Sequence, residues 1–306
     1  MTLRAINDKK NVGAVFLDIS KAFDSVNHLL LLRKLKNIGI SERSVQLMSS
    51  YLTKRTQCVR ALNAYSNFKE VKYGVPQGSI LGPLLFIIYI NDLFSVHLRG
   101  NIITYADDTC LVVTAPNNTD LYSHMKKDLF NICKWMVSNS LAINVNKTKY
   151  IIFDLQTHVG KFGPPTEDEH RIKNIKLHNF NTPEDCTNDT CNCTEIDKVT
   201  SIKYLGVIID ERLDFKLHIG SVVRKVRWGL YILSRLRTVA EPKLLKVLYY
   251  AFVQSHLQYA IIVWGGIYNN TINRIHLQKR AIRIVSRTRD FLAHTSPFLN
   301  ANVFCR

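Results

Sequence analysis

Three aspartates carry the chemistry that this chain is best placed to do. Asp18 lies near the end of the apolar run Val12–Ile19 (VGAVFLDI), and Asp107 and Asp108 sit between two apolar runs in Asn101–Val113 (NIITYADDTCLVV). Two-metal phosphoryl transfer needs carboxylates from separate segments converging on one point, because one carboxylate cannot bridge two dications roughly 3.5–4 Å apart. Hard oxygen ligands of this kind suit magnesium. Each feature alone is ordinary, since aspartate is a common turn former and strands often end on an acid. The pattern gains weight only if the chain has elements that bring the three together.

Such elements are legible. Val12–Ile19 is rich in β-branched and aromatic residues and reads as a buried strand ending at Asp18. Asn101–Val113 reads as a hairpin with two acids at its tip. These strands are expected to bury Val15, Phe16, Ile102, Ile103 and Val112. Leu29–Leu35 and Ser41–Leu52 read as helices separated by a break at Asn37-Ile38-Gly39, and Arg55–Val71 as a strand pair. Gly74–Gly78 (GVPQG) is a loop, followed by a helix from Ile80 to Leu93. Leu121–Ser138 has helical spacing, and Leu141–Asp154 holds a turn at Asn146-Lys147-Thr148 and then a strand. Residues from about Leu155 to Lys198 turn polar and rich in turn formers, the signature of an insertion or disordered loop. Ser201–Asp210 returns to strand character. The rest reads as helices over Phe215–Leu236, Pro242–Trp264 and Ile272–Arg289, with Phe291–Arg306 unassigned. Mixed α and β followed by helices alone gives an α+β domain and then a helical one.

The formal net charge of +17 suggests a polyanionic partner, nucleic acid first and an acidic membrane surface second. From Glu211 onward, 16 Lys/Arg face 4 Asp/Glu, so +12 of that charge falls in the last third. Seven scattered cysteines do not make a disulfide framework, and a reducing compartment fits better. Met1–Lys10 is not a signal peptide. The apolar stretches Ile80–Ile90 and Tyr259–Ile267 are too short to span a bilayer, so no membrane partner is expected. Cys186, Cys191 and Cys193, with His170 or His178 nearby, have C-x4-C-x-C spacing that poorly matches zinc pairs and read as a variable loop.

Five blocks stand in one order: FLDISKAFDSVNH (Phe16–His28), GVPQGSILGPLLF (Gly74–Phe86), YADD (Tyr105–Asp108), NKTK (Asn146–Lys149) and YLGV (Tyr204–Val207). Together they resemble the reverse transcriptase of non-LTR (LINE-type, jockey-like) retrotransposons over about residues 5–290. The resemblance implies a right-hand polymerase palm, with an antiparallel sheet and helices, over residues 1–210. It also implies an all-helical, thumb-like region over 211–290. Asp18, Asp107 and Asp108 would ligate two magnesium ions, with manganese as an alternative. Phe23 matches the bulky steric gate that selects deoxynucleotides, and Gln77 and Gly78 would contact the incoming nucleotide and template. Lys147 matches the lysine proposed to protonate departing pyrophosphate, with Lys149 as the other candidate. Tyr204, Leu205 and Gly206 match the primer grip.

Basic rows on the helical third suit a template–primer backbone, which is read through its phosphates. Arg224, Lys225 and Arg227, with Arg235 and Arg237, lie on one helix, and Lys279, Arg280, Arg283 and Arg287 on another. Trp228, Tyr249, Tyr250 and Trp264 are assigned to the core, Asp24 to a structural role, and Asn91 and Asp92 to capping or packing. The implied partners are an RNA template, a DNA primer and deoxynucleoside triphosphates, in the nucleus or cytoplasm. Only about a dozen residues precede Val12, where a complete family member carries fingers, so the expectation is a truncated copy. Two readings stay open: an RNA-directed DNA polymerase, and a non-catalytic nucleic-acid-binding remnant of the same palm and thumb. A palm-based RNA polymerase fits less well with Phe23 and a YADD tip.

Overall fold

The computed structural model describes residues 2–62, 64–153, 175–177, 193–266 and 268–286. The chain divides into two compact units, residues 1–202 and 203–306.

The first unit is built on a five-stranded sheet. Its strands are β1 (Asn11–Leu17), β6 (Asn101–Tyr105), β7 (Asp108–Ala115), β8 (Lys149–Phe153) and β11 (Asp197–Lys198), in the order β11-β8-β1-β7-β6. The apolar run of β1 makes it the centre, bonded to β7 and β8 and buried on both faces. All pairings are antiparallel except β11 with β8, which is parallel. The sheet is antiparallel as expected, with one parallel pairing at its β11 edge.

One sheet face is covered by α5 (Asn118–Ser138), whose Leu121, Met125, Leu129, Ile132 and Met136 form a buried stripe at helical spacing. Its first turn is capped by Asn117, which accepts a hydrogen bond from the Asp120 N–H at 2.8 Å. The helix lies close to β1 because Gly13 has no side chain: a Cβ there would stand 2.6 Å from Met125 Sδ. Helices α2 (His28–Asn37), α3 (Glu42–Leu52) and α4 (Leu81–Ile90) complete the core with Leu31, Leu35, Val45, Leu52, Leu85, Phe86 and Tyr89. Asn27 and Ser41 cap α2 and α3.

Several expectations change on this frame. Arg55–Val71 forms two exposed two-residue ladders, β2 with β5 (Thr56–Gln57, Lys69–Glu70) and β3 with β4 (Arg60–Ala61, Ala64–Tyr65). Ile103 is not buried but 49% exposed, because β6 is the sheet's edge and has only one neighbour. Parts of the stretch read as an insertion are ordered: β9 (Lys176–Leu177) pairs with β10 (Thr194–Glu195), and Ile175, Leu177 and Ile196 join the core. Isolated apolar residues in a polar stretch show no period, which is why they were not legible. The remainder of that stretch, with Cys186, Cys191, His170 and His178, lies outside the described residues, as do Arg287 and the 291–306 tail.

The boundary between the units falls within β12 (Ser201–Tyr204), which forms a hairpin with β13 (Val207–Asp210), and the second unit continues in helices. Asp210 ends the hairpin and turns the chain: its buried carboxylate accepts hydrogen bonds from the N–H groups of Arg212, Asp214 and Phe215. Helix α6 (Lys216–Leu236) buries Ile219, Val222, Val226, Leu230 and Leu233. The expected single helix over Pro242–Trp264 is in fact four pieces. These are α7 (Pro242–Tyr249), a π-helical turn (Tyr250–Gln254), α8 (Ser255–Gln258) and α9 (Ile261–Trp264), with a break at Tyr259-Ala260. Helix α10 (Tyr268–Ser286) follows. Tyr249 and Trp264 are core as expected, but Trp228 is 59% exposed and leaves the core assignment. Among the described residues no helix is long and apolar enough to cross a membrane.

Candidate active site

The register of β1 against β7 places two of the three aspartates. Leu17 pairs with Thr109, so Asp18 and Asp108 are the next residues out on facing strands. Their sheet face is that of Phe16 and Cys110, opposite the face covered by α5. The β6–β7 hairpin closes on Tyr105 paired with Asp108, leaving Ala106 and Asp107 as its two-residue turn. Ala106 takes a φ of +54°, a left-handed conformation that costs an alanine roughly 1–2 kcal/mol. That strain sits at the tip that presents Asp107.

Asp107 and Asp108 are exposed and Asp18 half-buried. Although Asp108 is exposed as a residue, partial desolvation of its carboxyl raises it above the usual carboxylate range, and the negative charges of Asp107 and Asp18 raise it further. The three groups thus repel one another across the sheet end. Among the described residues no three His, Cys, Asp or Glu side chains converge closely enough to hold a metal ion. Asp18 instead leans on Lys147, whose Nζ lies 3.7 Å from Asp18 Oδ2.

Lys147 is held there by backbone bonds. The Asn144 N–H donates to the Asp18 carbonyl at 2.7 Å, and the Asp18 N–H donates to Thr148 Oγ1 at 3.4 Å. Thr148 Oγ1 in turn donates to the Asn144 carbonyl at 2.8 Å. The NKTK turn is therefore stitched to the residue that starts the site. Lys149, the other candidate, points into an ion pair with Asp197.

The first and second blocks are also joined. The Val75 N–H donates to the Phe23 carbonyl at 2.9 Å, the Gly74 N–H to the Val26 carbonyl at 2.8 Å, and His28 Nε2 bonds the Gly74 carbonyl at 2.8 Å. Gly74 has a φ of +87°, and a Cβ there would lie 2.8 Å from Asp24 Cα, so the approach requires glycine. Gln77 donates from Nε2 to Asp24 Oδ1 at 2.8 Å, which gives Asp24 its structural role. The Phe23 ring lies against Phe86 with centroids 4.7 Å apart. Gly78 is exposed with a φ of +78° and open space around its α-carbon. Asp92 is exposed and accepts from Lys34 Nζ at 2.6 Å.

In the second unit the YLGV block forms the β12–β13 turn, with Leu205 and Gly206 at φ +44° and +79°. Arg224, Lys225, Arg227 and Arg280 are exposed, while Lys279 and Arg283 are half-buried. Trp228 and Tyr231 lie exposed among the basic residues of α6, and Arg235 stands over the Tyr231 ring at 5.4 Å. Sequence reasoning missed Tyr259, whose hydroxyl reaches the Leu205 carbonyl. Nothing in a contact spanning 54 residues announces itself in the sequence.

A central strand and a neighbouring hairpin that present three carboxylates at one end of a helix-backed sheet define a polymerase palm. Residues 2–209 match the family described as "Reverse transcriptase (RNA-dependent DNA polymerase)", and the chain belongs to that family. It is 29% identical over 299 residues to a probable RNA-directed DNA polymerase from transposon BS of Drosophila melanogaster, covering 93% of this chain and 30% of that protein. It is also 29% identical over 309 residues to the RNA-directed DNA polymerase from mobile element jockey of Drosophila funebris, covering 94% and 30%. The X-element protein of Drosophila melanogaster is 27% identical over 306 residues, covering 96% and 30%. The chain thus spans 30% of the length of each of these relatives. Among solved structures, a Candida albicans telomerase is similar at 12% identity and a TM-score of 0.43, over 96% of this chain and 51% of that one.

Proposed function

We propose that this chain copies an RNA template into DNA, extending a primer 3′-hydroxyl with deoxynucleotides. The observation that carries this reading is the register that sets Asp18 opposite Asp108 beside the Asp107 turn, where three carboxylates repel one another. The donor set is hard oxygen, and its unbalanced negative charge fits divalent cations. Asp18, Asp107 and Asp108 would hold two magnesium ions, or manganese in their place. Such ions, when bound, lower the pKa of the attacking hydroxyl and neutralise charge on the triphosphate.

The chain's own residues supply the rest. Phe23, backed by Phe86, blocks a ribose 2′-hydroxyl. Gln77, oriented by Asp24, and Gly78 meet the nucleotide and template through a backbone that can approach closely. Lys147, already beside Asp18, supplies a proton to departing pyrophosphate. The Leu205–Gly206 turn holds the primer end. The exposed row of Arg224, Lys225 and Arg227, with Arg280 on α10, binds template–primer phosphates. Positioning and electrostatics account for the catalysis. The test is primer extension on an RNA template with magnesium and deoxynucleotides, beside an Asp107→Ala, Asp108→Ala double variant.

A further inference from the structure

The turn that joins β12 to β13 is strained and clamped. Leu205 and Gly206 both have positive φ, the requirement of a tight two-residue hairpin turn. Glycine or asparagine adopts this freely, whereas leucine at φ +44° is held against its preference. Strain of this kind persists only where surrounding groups over-determine it, and it marks sites where geometry matters.

The over-determining group is Tyr259. Its hydroxyl donates to the Leu205 carbonyl at 2.6 Å. Its ring covers the next residue, so that a Cβ on Gly206 would lie 3.1 Å from Tyr259 Cε1. Tyr259 is itself fixed on both sides. Its N–H donates to the Ser255 carbonyl at 3.2 Å, and its carbonyl accepts from Trp264 Nε1 at 2.9 Å. It is presented by a second left-handed residue, Ala260 at φ +49°. The circuit closes through the core. Trp264 meets the His218 ring edge-on at 5.3 Å, and His218 Nδ1 accepts from the Ile208 N–H on β13 at 3.3 Å. Two strained residues in different parts of the unit thus meet through one tyrosine that is itself 54% exposed. An exposed tyrosine whose hydroxyl is committed to a hairpin turn, and whose backbone is fixed on both sides, is spent on holding that turn.

We infer that Tyr259 is a positioning residue for the primer end, locking the Leu205–Gly206 turn in the one conformation that seats the terminal nucleotide. This rests on the reverse transcriptase reading and on the turn's role as primer grip. Tyr259 acts through the turn and touches neither nucleotide nor metal.

The test uses the full chain, an RNA–DNA hybrid with 2-aminopurine as the primer's 3′-terminal base, and the variant Tyr259→Phe. Loss of one hydrogen bond should slow single-nucleotide incorporation about fivefold. Hybrid affinity and KM for the nucleotide should stay within about twofold, because the basic rows and the palm are untouched. The 2-aminopurine signal of the bound hybrid, which needs no catalysis, should shift. Incorporation and fluorescence both matching the parent would overturn the inference, as would a loss of hybrid affinity as large as the loss of incorporation. A parent that binds the hybrid without incorporating overturns the catalytic reading alone, and the fluorescence of Tyr259→Phe then decides the brace. A parent that does not bind the hybrid overturns both.

Discussion

Asp18 and Asp108 face each other one residue beyond the Leu17–Thr109 pair, on antiparallel strands whose register is fixed along their whole length. A one-residue slip would send one carboxylate to the α5 side of the sheet. The site's geometry is therefore a property of the core, set by Val15, Leu111 and Val113 packing beneath it.

The first expectation concerns charge at that point. Burial, Asp107 and Asp18 all hold the Asp108 carboxyl above its usual range. Asp108→Asn should leave the thermal midpoint in chelator unchanged or roughly 1–3 °C higher, because it removes repulsion in a solvent-screened site. Magnesium should raise the midpoint of the parent and not of the variant. A clear loss of stability in chelator would mean that the aspartates support the fold instead.

The joint between the first and second blocks can be read from two glycines. At Gly74 an added Cβ meets the Asp24 backbone as well as an unfavourable φ, so Gly74→Ala should cost about 2–4 kcal/mol. At Gly78 only φ opposes it, and Gly78→Ala should cost about 1 kcal/mol. Denaturant unfolding of the two variants gives the order, and equal losses would contradict it.

Sugar discrimination tests Phe23. Its ring packs on Phe86, so Phe23→Val should cost about 1–2 kcal/mol while opening space above the sugar. The preference for deoxynucleotides over ribonucleotides, measured as a ratio of kcat/KM, should fall roughly 10–100-fold. An unchanged ratio would reduce Phe23 to a packing residue.

The salt dependence of hybrid binding tests the basic rows. Arg224→Gln and Arg227→Gln, both on the exposed face of α6, should each lower the slope of log K against log salt by about one. Arg283→Gln should have less effect on the slope, because that side chain is half-buried. Equal effects at all three positions would argue against a phosphate track along α6.

Acid should loosen the second unit. Burial, and then the charge of Lys225, lower the pKa of both His218 and His256 from 6.5. The unfolded chain therefore binds more protons than the folded one just below pH 6.5, and stability present above that pH is lost as the pH falls toward the folded values. The thermal midpoint should drop between pH 7.5 and 5.5, and His218→Gln, which can still accept from Ile208, should flatten the drop. A pH-independent midpoint would contradict this.

Much of this molecule was legible in its residues. The β1 run and the YADD hairpin announce themselves because a central strand must be continuously apolar and a tip must turn. The α5 stripe is equally plain, with Gly13 beneath it explained only by the packing. Other features are set by neighbours far along the chain. Ile103 looks like any buried strand residue until β6 proves to be the edge. Trp228 looks like core until α6 buries a different face. The break at Tyr259-Ala260 carries no glycine or proline to signal it, and its partner, Leu205, lies 54 residues away. The roles of Lys147 and Gln77 came from resemblance, and only their hydrogen-bonded surroundings came from the structure.

The most direct measurement is primer extension by the purified chain on an RNA template with magnesium and deoxynucleotides, run beside the Asp107→Ala, Asp108→Ala variant. The account expects extension by the parent and none by the variant. A folded parent that binds the hybrid yet adds no nucleotide would contradict it, and would leave the three aspartates as the mark of an ancestral activity on a nucleic-acid-binding remnant.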